Sequence, residues 1–384
     1  MKLETLRYIK NTGWSVGKFP DLDSENTLIL IFSAPDLITQ PGLIQDLVKH
    51  YPSSKIIGCS TAGEIFGKDI SDHSLSVAII RFDNTEIKIA KMKVENVNSS
   101  YQVGKDLVTQ LDSPELRSIF ILSEGLKING SELTKGLSET NNQVLISGGL
   151  AADSSSFKQT WVIHNGEILQ DHIVGVGFYG SFIHIGHGSR GGWDIFGLER
   201  RVTRSKHNIL YELDNRPALK LYKEYLGDKA SGLPATGLLY PLAIRQNEAD
   251  QNHLVRTILG IDEKEQSLIF AGDIPMGYLA QLMRANFDRI ITGANDAAML
   301  ATSSLFSQGN GIPSEPILCI AVSCVGRRLL LGERTEEEIE ATLEALPANT
   351  QQIGFYSYGE ISPYEFGVCD LHNQTMTLTI LYEK

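Results

Sequence analysis

Three short boxes, each ending on a carboxylate, carry the residues best suited to chemistry in this chain. They are Ile56–Glu64, Leu145–Asp153 and Gln352–Glu360. Each box ends an apolar run and passes through small residues, and the first and third share the frame Gly-x-x-[Ser/Thr]-x-Gly-Glu-Ile. The carboxylates could each accept a ligand ammonium group or cap the turn that follows. The glycines would let the backbone approach a ligand, although a tight turn has the same requirement.

Two adjacent arginines, Arg327 and Arg328, follow the end of an apolar run and a glycine. A guanidinium group can donate to both oxygens of a carboxylate, so the pair suits an acidic ligand group. An internal salt bridge to Glu333 or to residues 336–338 is an equally good interpretation. With Glu360 on a neighbouring strand end, the arginines would match the two charged ends of a free amino acid.

Tyr356 and Tyr358 flank a serine, so on an extended segment they share one face. They could form the wall of a pocket for the ligand side chain, with Asn373 as a further contact and the backbone of Gly359 close to the ligand. Paired aromatic residues in a strand are also typical of a packed core. Both interpretations stay open.

Cys59 and Cys324 are candidate nucleophiles, and a catalytic cysteine needs a base, usually histidine. The run around Cys59 lacks the second glycine of a Gly-x-Ser-x-Gly elbow. The candidate base His372 has no orienting carboxylate nearer in sequence than Asp370. A cysteine enzyme is therefore the main alternative hypothesis and not the preferred one.

Metal and cofactor motifs are weak. His184 and His187 have a metal-like spacing, but on a strand they face opposite sides. The glycines at 148–149 and 175–177 match neither a phosphate-binding loop nor a dinucleotide fingerprint. The sequence indicates no metal and no cofactor.

Each box belongs to a longer repeat of strand, helix, strand with box, and strand. The first strands, all ending in serine, are predicted at Leu28–Ser33, Ile119–Ser123 and Leu318–Ser323; the helices at Leu43–His50, Gly130–Thr140 and Glu333–Leu346; the last strands at Leu75–Phe82, Ile173–Tyr179 and Met376–Tyr382. We number these repeats units one, two and three.

Strand–helix–strand connections are nearly always right-handed and join parallel strands. Ser33, Ser123, Ser323 and the three boxes would then lie at the carboxyl ends of strands, where α/β sheets bind ligands. We predict that at least two of these serines lie beside the box of their own unit. The predicted fold class is α/β, with mixed sheets built from repeated strand–helix–strand units in two domains.

The rest of the chain has residue patterns different from those of the units. Alternating polar and apolar residues with glycines are typical of twisted antiparallel strands. Proline indicates the start of a helix, clusters of glycine and proline indicate loops, and alanines within a helix indicate close packing. The predictions are a leader at 1–27, unit one to about 94, unit two over about 101–180, antiparallel strands over Ile183–Leu213, a helix over Pro217–Leu226, a loop or linker over Gly227–Thr236, a helix over Phe287–Phe306, and unit three from Pro316 onward.

The 384 residues carry a net charge of −12, and 42% of them are hydrophobic. The length suits about two domains. The acidity argues against binding to nucleic acid or an anionic membrane, both of which need a basic stripe. The four cysteines show neither a metal spacing nor a disulfide framework, which favours a reducing compartment. With no signal peptide and no apolar run long enough to span a bilayer, the sequence predicts a cytoplasmic protein.

An ordered series of motifs runs through the chain. The first is Gly58–Ile65, and the later ones are Gly272–Pro275, Leu282–Asn286, Ser323–Arg328, Gly332–Arg334, Gly354–Ile361 and His372–Thr375. Together they resemble the FIST family of ligand-binding sensory proteins, from about residue 25 to the end. The resemblance predicts a FIST N-type domain over 25–225 and a FIST C-type domain over 226–384.

The resemblance implies a small-molecule sensor in intracellular signal transduction, with amino acids or related metabolites as ligands. Relatives are often fused to signalling modules that this chain lacks, so a separate output protein is predicted as a partner. An interaction adaptor without a small ligand is a third hypothesis. The predicted ligand-binding residues are Gly58, Cys59, Ser60, Thr61, Gly63, Glu64, Cys324, Arg327, Arg328, Tyr356, Tyr358, Gly359, Glu360 and Asn373.

Overall fold

The computed structural model describes residues 1–40, 42–139, 144–154, 156–251, 253–306, 312–363 and 368–384. The three predicted units form three mixed sheets, and a fourth sheet is inserted within unit three. The α/β fold class with repeated strand–helix–strand units is confirmed.

Each unit's sheet also contains strands from another unit. In hydrogen-bonding order, the sheet of unit one contains Glu167–Leu169, Val162–His164, Lys55–Ser60, Thr27–Ser33, Ser74–Arg81, Lys2–Ile9 and Gly13–Trp14. The sheet of unit two contains Cys369–His372, Glu360–Pro363, Leu145–Leu150, Leu116–Ser123, His172–Tyr179 and Glu86–Lys93. The sheet of unit three contains Ile183–Arg190, Met376–Glu383, Ile317–Cys324, Thr350–Ser357, Glu64–Phe66 and Asp69–Ser71.

The fourth sheet and the helices complete the described elements. The inserted sheet contains Leu254–Arg256, Leu242–Arg245, Leu279–Arg284, Arg200–Lys206, Ile209–Leu213, Ser267–Phe270 and Ile258–Asp262, with Asp194–Ile195 and Arg216–Pro217 as short additions. The α-helices are Leu43–His50, Ser100–Leu111, Gly130–Leu137, Ala218–Leu226, Phe287–Phe306, Val325–Leu331 and Thr335–Ala345. Shorter 3-10 helices are Pro35–Thr39, Val97–Ser99, Gly227–Gly232, Ala235–Leu239 and Gly332–Arg334.

The serine-ended strand lies at the centre of each unit, with the box strand parallel on one side and the last strand antiparallel on the other. The paired residues at the strand ends are Ser33 with Ser60, Ser123 with Leu150, and Ser323 with Tyr356. The prediction that the serines lie beside the boxes of their own units is confirmed for all three.

After its box, each unit extends a two-stranded hairpin into the sheet of another unit. The hairpin beginning at Glu64 pairs with Thr350–Ser357 of unit three. The hairpin of unit two pairs with Lys55–Ser60 of unit one, and the hairpin of unit three pairs with Leu145–Leu150 of unit two. The exchange is cyclic, so every box strand has an edge that only another unit covers.

Each unit also has a first antiparallel strand that the sequence analysis placed elsewhere. These strands are Lys2–Ile9, Glu86–Lys93 and Ile183–Arg190. The prediction of a leader over 1–27 is therefore wrong for 2–9, and the prediction that unit one extends to about 94 is wrong for 86–93. Lys2–Ile9 and Glu86–Lys93 each carry several charged residues, because one face of each strand is exposed. These charged residues interrupt the apolar pattern, so the sequence analysis did not identify the two segments as strands of the sheets.

The helix Phe287–Phe306 has the predicted bounds and packs against Ile183–Arg190. A Cβ at Gly186 or Gly188 would lie 2.3 or 2.1 Å from a carbonyl oxygen of this helix, so glycine sets the close approach. The helices Leu43–His50 and Ala218–Leu226 also agree with prediction. The helix of unit two ends at Leu137, and Thr140, its predicted end, lies outside the described residues.

The sequence analysis predicts antiparallel strands over Ile183–Leu213; Ile183–Arg190 belongs to the sheet of unit three, and the rest of this segment to the inserted antiparallel sheet. The inserted sheet contacts the strand Cys369–His372 of unit three. Its buried Arg256 donates a hydrogen bond of 3.0 Å to the carbonyl oxygen of Leu371. The predicted linker at 227–236 forms 3-10 turns. No described helix is long and apolar enough to span a bilayer.

Candidate functional site

Glu64, the acid of box one, is held by three donors. It accepts hydrogen bonds from the hydroxyl of Thr61 and from the hydroxyl and N–H of Ser74, the last two at 2.6 and 3.2 Å. Burial raises the pKa of Glu64 to about 8, against the opposite effect of these hydrogen bonds. The carboxyl is therefore mostly protonated at neutral pH.

Glu360, the acid of box three, has the same arrangement. The hydroxyl of Ser357 donates at 2.6 Å, and the hydroxyl and N–H of Thr375 donate at 2.9 and 3.2 Å. Burial again raises the pKa to about 8. Thr375 is thus the counterpart of Ser74, and Glu360 is the counterpart of Glu64.

Asp153, the acid of box two, is placed differently. It accepts hydrogen bonds of 2.7–2.8 Å from the backbone N–H groups of residues 157–159, and another from the hydroxyl of Tyr358. When the box strands of units one and two are aligned by their pairing with the serine-ended strands, the residue of unit two equivalent to Glu64 is Ser154. The alignment that ended box two on Asp153 was therefore offset by one residue, because the sequence alone gave no strand register.

The register instead aligns the glycines Gly58, Gly148 and Gly354. A Cβ at these positions would lie 2.3, 1.9 and 1.9 Å from a carbonyl oxygen of the serine-ended strand. Only glycine permits this approach. Packing within each sheet therefore accounts for these three glycines without a ligand.

A cavity of about 760 Å³ lies at the junction of units one and three, and we call it the charged cavity. The predicted residues Thr61, Gly63, Glu64 and Arg328 line it. Its ionisable lining residues are Asp36, Glu64, Asp72, His73, Arg328, Glu333 and Glu336. The excess of acids attracts a positively charged group, whereas Arg328 can bind an acidic group.

Arg328 of unit three crosses this junction to unit one. Its guanidinium donates to the carbonyl oxygen of Ala62 at 2.6 Å and to both carboxylate oxygens of Asp72 at 2.8 Å. A Cβ at Gly63 would lie 2.4 Å from Nη1 of Arg328, so the glycine leaves room for the guanidinium. The Asp72 side chain is 55% exposed, and an ion pair in contact with water contributes little free energy. Another carboxylate could replace Asp72 at low cost.

Arg327 has a different environment. Its guanidinium is fully buried, donates to Glu338 at 2.9 Å through Nε, and bonds the carbonyl oxygen of Ile290 at 2.7 Å. The other oxygen of Glu338 accepts from the hydroxyl of Tyr356 at 2.7 Å and from Ser323 at 3.0 Å. This network joins five elements of unit three and leaves Arg327 and Tyr356 closed to solvent. It is the internal salt bridge that the sequence offered as an alternative.

The four cysteines are buried as free thiols. Burial raises the pKa of Cys59 and of Cys324 far above the usual range, with an added effect from the nearby acids Glu64 and Glu360 respectively. Neither is a thiolate at neutral pH, so the geometry offers no activated nucleophile at these two positions.

A second cavity, of about 500 Å³, lies between units two and three and the inserted sheet, and we call it the apolar cavity. The predicted residues Cys324, Tyr358 and Asn373 line it. Its described lining contains no Asp, Glu, Lys, Arg or His. Val325 and Leu329 of the helix Val325–Leu331 lie between the two cavities and line both.

The remaining predicted residues lie in the sheets or, for Gly359, between two strands. Ser60 accepts a hydrogen bond from the N–H of Trp161 at 3.1 Å, and the carbonyl oxygen of Gly359 accepts from Leu150 at 2.9 Å. Among the described residues, no group of three or more His, Cys, Asp or Glu side chains is arranged to hold a metal.

Several residues of the charged cavity were missed by the sequence analysis. They are Asp36, Asp72, His73, Ser154, Glu333 and Glu336. One signal was present for Asp72: it precedes Ser74 by two residues, as Asn373 precedes Thr375. Alignment of the units on these hydroxyl residues would have added Asp72 to the predicted site.

Comparisons with known proteins agree with the motifs. Residues 27–216 match the FIST N domain and residues 218–363 match the FIST C domain. The chain belongs to the FIST family, whose domains are associated with sensory signal transduction. An uncharacterized protein of Methanocaldococcus jannaschii is 24% identical over 387 residues, which is 87% of this chain and 69% of that protein.

Solved structures give only distant similarity. A cyanuric acid hydrolase from A. caulinodans is 10% identical with a TM-score of 0.18, over 78% of this chain and 99% of the hydrolase. The PurLQS structure from Thermotoga maritima is 9% identical with a TM-score of 0.18, over 95% of this chain and 66% of that one. At these TM-scores neither structure bears on the function.

Proposed function

We propose that the protein is a sensor that binds an amino acid or a related small metabolite in the charged cavity. The observation that carries the proposal is the contact of Arg328 with Asp72 and Ala62, which joins units three and one at the edge of this cavity. A ligand that takes over this contact changes the junction between two units, and a separate output protein reads that change.

The ligand carboxylate replaces the carboxylate of Asp72 on the guanidinium of Arg328. Two parallel N–H···O bonds suit any carboxylate, and the exposed side chain of Asp72 is free to turn into water. The exchange conserves the charge pairing of Arg328. It breaks the direct ion pair between units one and three, which is the structural change that the sensor transmits.

The ligand ammonium lies near the acids on the other walls of the cavity. Glu333 and Glu336 are exposed, and Glu64 lines the same cavity as a buried residue with a raised pKa. An ammonium group close to Glu64 favours its ionised form, so binding releases a proton near neutral pH. Glu360 and Arg327 have no part in this proposal, because neither side chain lines the charged cavity.

The test is a thermal-shift screen of the amino acids, followed by calorimetric titration of the best ligand. Arg328→Met should weaken binding by about 10- to 100-fold, the effect of losing a charge-assisted hydrogen bond of about 1.5–3 kcal/mol. Arg334→Met is the matched control, because Arg334 pairs with Glu337 and Asp288 outside the cavity. Equal affinity in the Arg328→Met variant and the wild type would contradict the proposal.

A further inference from the structure

We propose that the apolar cavity is a second ligand site, which takes a neutral and largely apolar compound with one O–H or N–H donor. This site lies outside the charged cavity and does not depend on the proposed function. Its lining is drawn from two units and from the inserted sheet, and includes Leu126, Leu150, Phe157, Leu238, Ile258 and Phe270. A charged ligand would lose its hydration there without meeting a counter-charge, so the cavity selects neutral compounds.

The donor requirement comes from Asn373. Its side chain is only 1% exposed, and its amide Nδ2 donates to the carbonyl oxygen of His372 at 3.0 Å. Its Oδ1 has no hydrogen-bond partner among the described residues. A buried acceptor without a partner is rare in folded proteins, and a donor supplied by a ligand is a direct way to satisfy it.

The repeat of the units supports this assignment. Asn373 occupies the position of Asp72, since each lies two residues before the hydroxyl residue that bonds the box glutamate. In the charged cavity, the oxygens of Asp72 accept from Arg328. Asn373 lines a cavity whose described lining contains no arginine, so the donor that its Oδ1 lacks belongs to the occupant.

Two further features define the occupant. The hydroxyl of Thr257, in the wall formed by the inserted sheet, is also buried and without a partner among the described residues. The rings of Phe157 and Tyr358 stack with centroids 4.5 Å apart and planes 7° from parallel, which gives the cavity one flat apolar wall. A compact ring compound with a single donor fits both features.

Two matched pairs of probes test the proposal on the full chain. Indole and benzofuran have nearly the same shape, but only indole has an N–H donor. Cyclohexanol and cyclohexanone differ in the same way, because only the alcohol donates. We expect saturable binding of indole and cyclohexanol by calorimetry or ligand-observed NMR, at least about tenfold tighter than the partner compounds. Equal affinity within both pairs, or no saturable binding of either donor compound up to about 1 mM, would overturn the proposal.

Variants locate the binding. Asn373→Leu keeps the side-chain volume and should remove the preference for indole over benzofuran. Ala271→Phe should fill the cavity and abolish binding of both. Thr257→Val is nearly isosteric and keeps the test valid if Asn373→Leu does not fold. It should reduce indole binding, and unchanged binding in both Thr257→Val and Ala271→Phe would place the probe elsewhere and overturn the proposal.

Glu336→Gln, in the charged cavity, is the control and should leave indole binding unchanged. Arg328→Met separates this proposal from the proposed function. It should weaken amino-acid binding while the probe preference persists. Unchanged amino-acid binding in Arg328→Met would contradict the proposed function alone, whereas equal affinity for indole and benzofuran in the wild type would contradict the proposal for the apolar cavity alone.

Discussion

Arg327 and Arg328 are neighbours in the chain, but their guanidinium groups lie in opposite environments. Arg327 is fully buried against Glu338, whereas Arg328 pairs with the exposed Asp72 across the junction of two units. One arginine lies inside unit three, and the other borders the charged cavity. This difference gives a matched pair of substitutions.

Arg327→Met should lower the free energy of unfolding by about 3–5 kcal/mol, because it leaves the buried carboxylate of Glu338 without its partner. Arg328→Met should cost less, about 1–2 kcal/mol, because its ion pair with Asp72 is in contact with water and the main loss is the hydrogen bond to Ala62. Urea unfolding of the two variants measures both effects. Similar losses in the two variants would show that the buried pair does not have this structural role.

The contribution of Glu64 and Glu360 to the stability of the protein should fall as the pH rises from about 4.5 to about 8. In this window folded Glu64 and Glu360, with pKa values of about 8, hold protons that the unfolded chain has released. The free energy of unfolding therefore decreases by up to about 1.4 kcal/mol per pH unit for each group.

Glu360→Gln should flatten this pH dependence, because the amide does not titrate. Urea unfolding at several pH values, with the exposed Glu336→Gln as a control, measures the change. The same pH dependence in Glu360→Gln and in the wild type would contradict the raised pKa of Glu360.

Ligand binding in the charged cavity should release a proton at pH 7. Glu64 is mostly protonated before binding, and a nearby ammonium group lowers its pKa, so affinity should increase between pH 6 and pH 8. Titration calorimetry in phosphate and in Tris measures the proton release, since these buffers differ in ionisation enthalpy. The same observed enthalpy in both buffers would exclude Glu64 from the linkage. Glu64→Gln should remove the pH dependence.

Gly354→Ala should destabilise the protein by at least about 1–3 kcal/mol, because its Cβ would overlap the carbonyl oxygen of Ala321 at 1.9 Å. Gly58→Ala and Gly148→Ala should behave in the same way. Gly17→Ala is the control, since a Cβ there meets no atom within 4 Å. Thermal unfolding compares the four variants, and a neutral Gly354→Ala would show that the sheet adjusts at this position.

The thiols should react with Ellman's reagent only after unfolding. All four cysteines are buried, and burial raises the pKa of Cys59 and Cys324. Four thiols per chain should titrate in urea, and the native protein should react far more slowly. Rapid native labelling of Cys324, located by mass spectrometry, would revive the hypothesis of a cysteine nucleophile.

The sequence by itself determined the family, the three repeated units and the position of the boxes at the strand ends. Apolar runs, small residues and terminal serines are local patterns, so the order of strand, helix and box could be predicted in the units that contain Ser33, Ser123 and Ser323. Tertiary structure decided what these patterns contact. The hairpin exchange depends on pairing between distant strands, which leaves no local pattern.

Strand register was the second feature beyond the reach of the sequence, and it moved the counterpart of Glu64 from Asp153 to Ser154. The two arginines show the same limit of prediction from sequence, because adjacent side chains on a short helix point in different directions. Their types and spacing predicted guanidinium chemistry at a strand end. Only the packing of unit three against unit one decided that Arg327 is enclosed and that Arg328 faces the cavity.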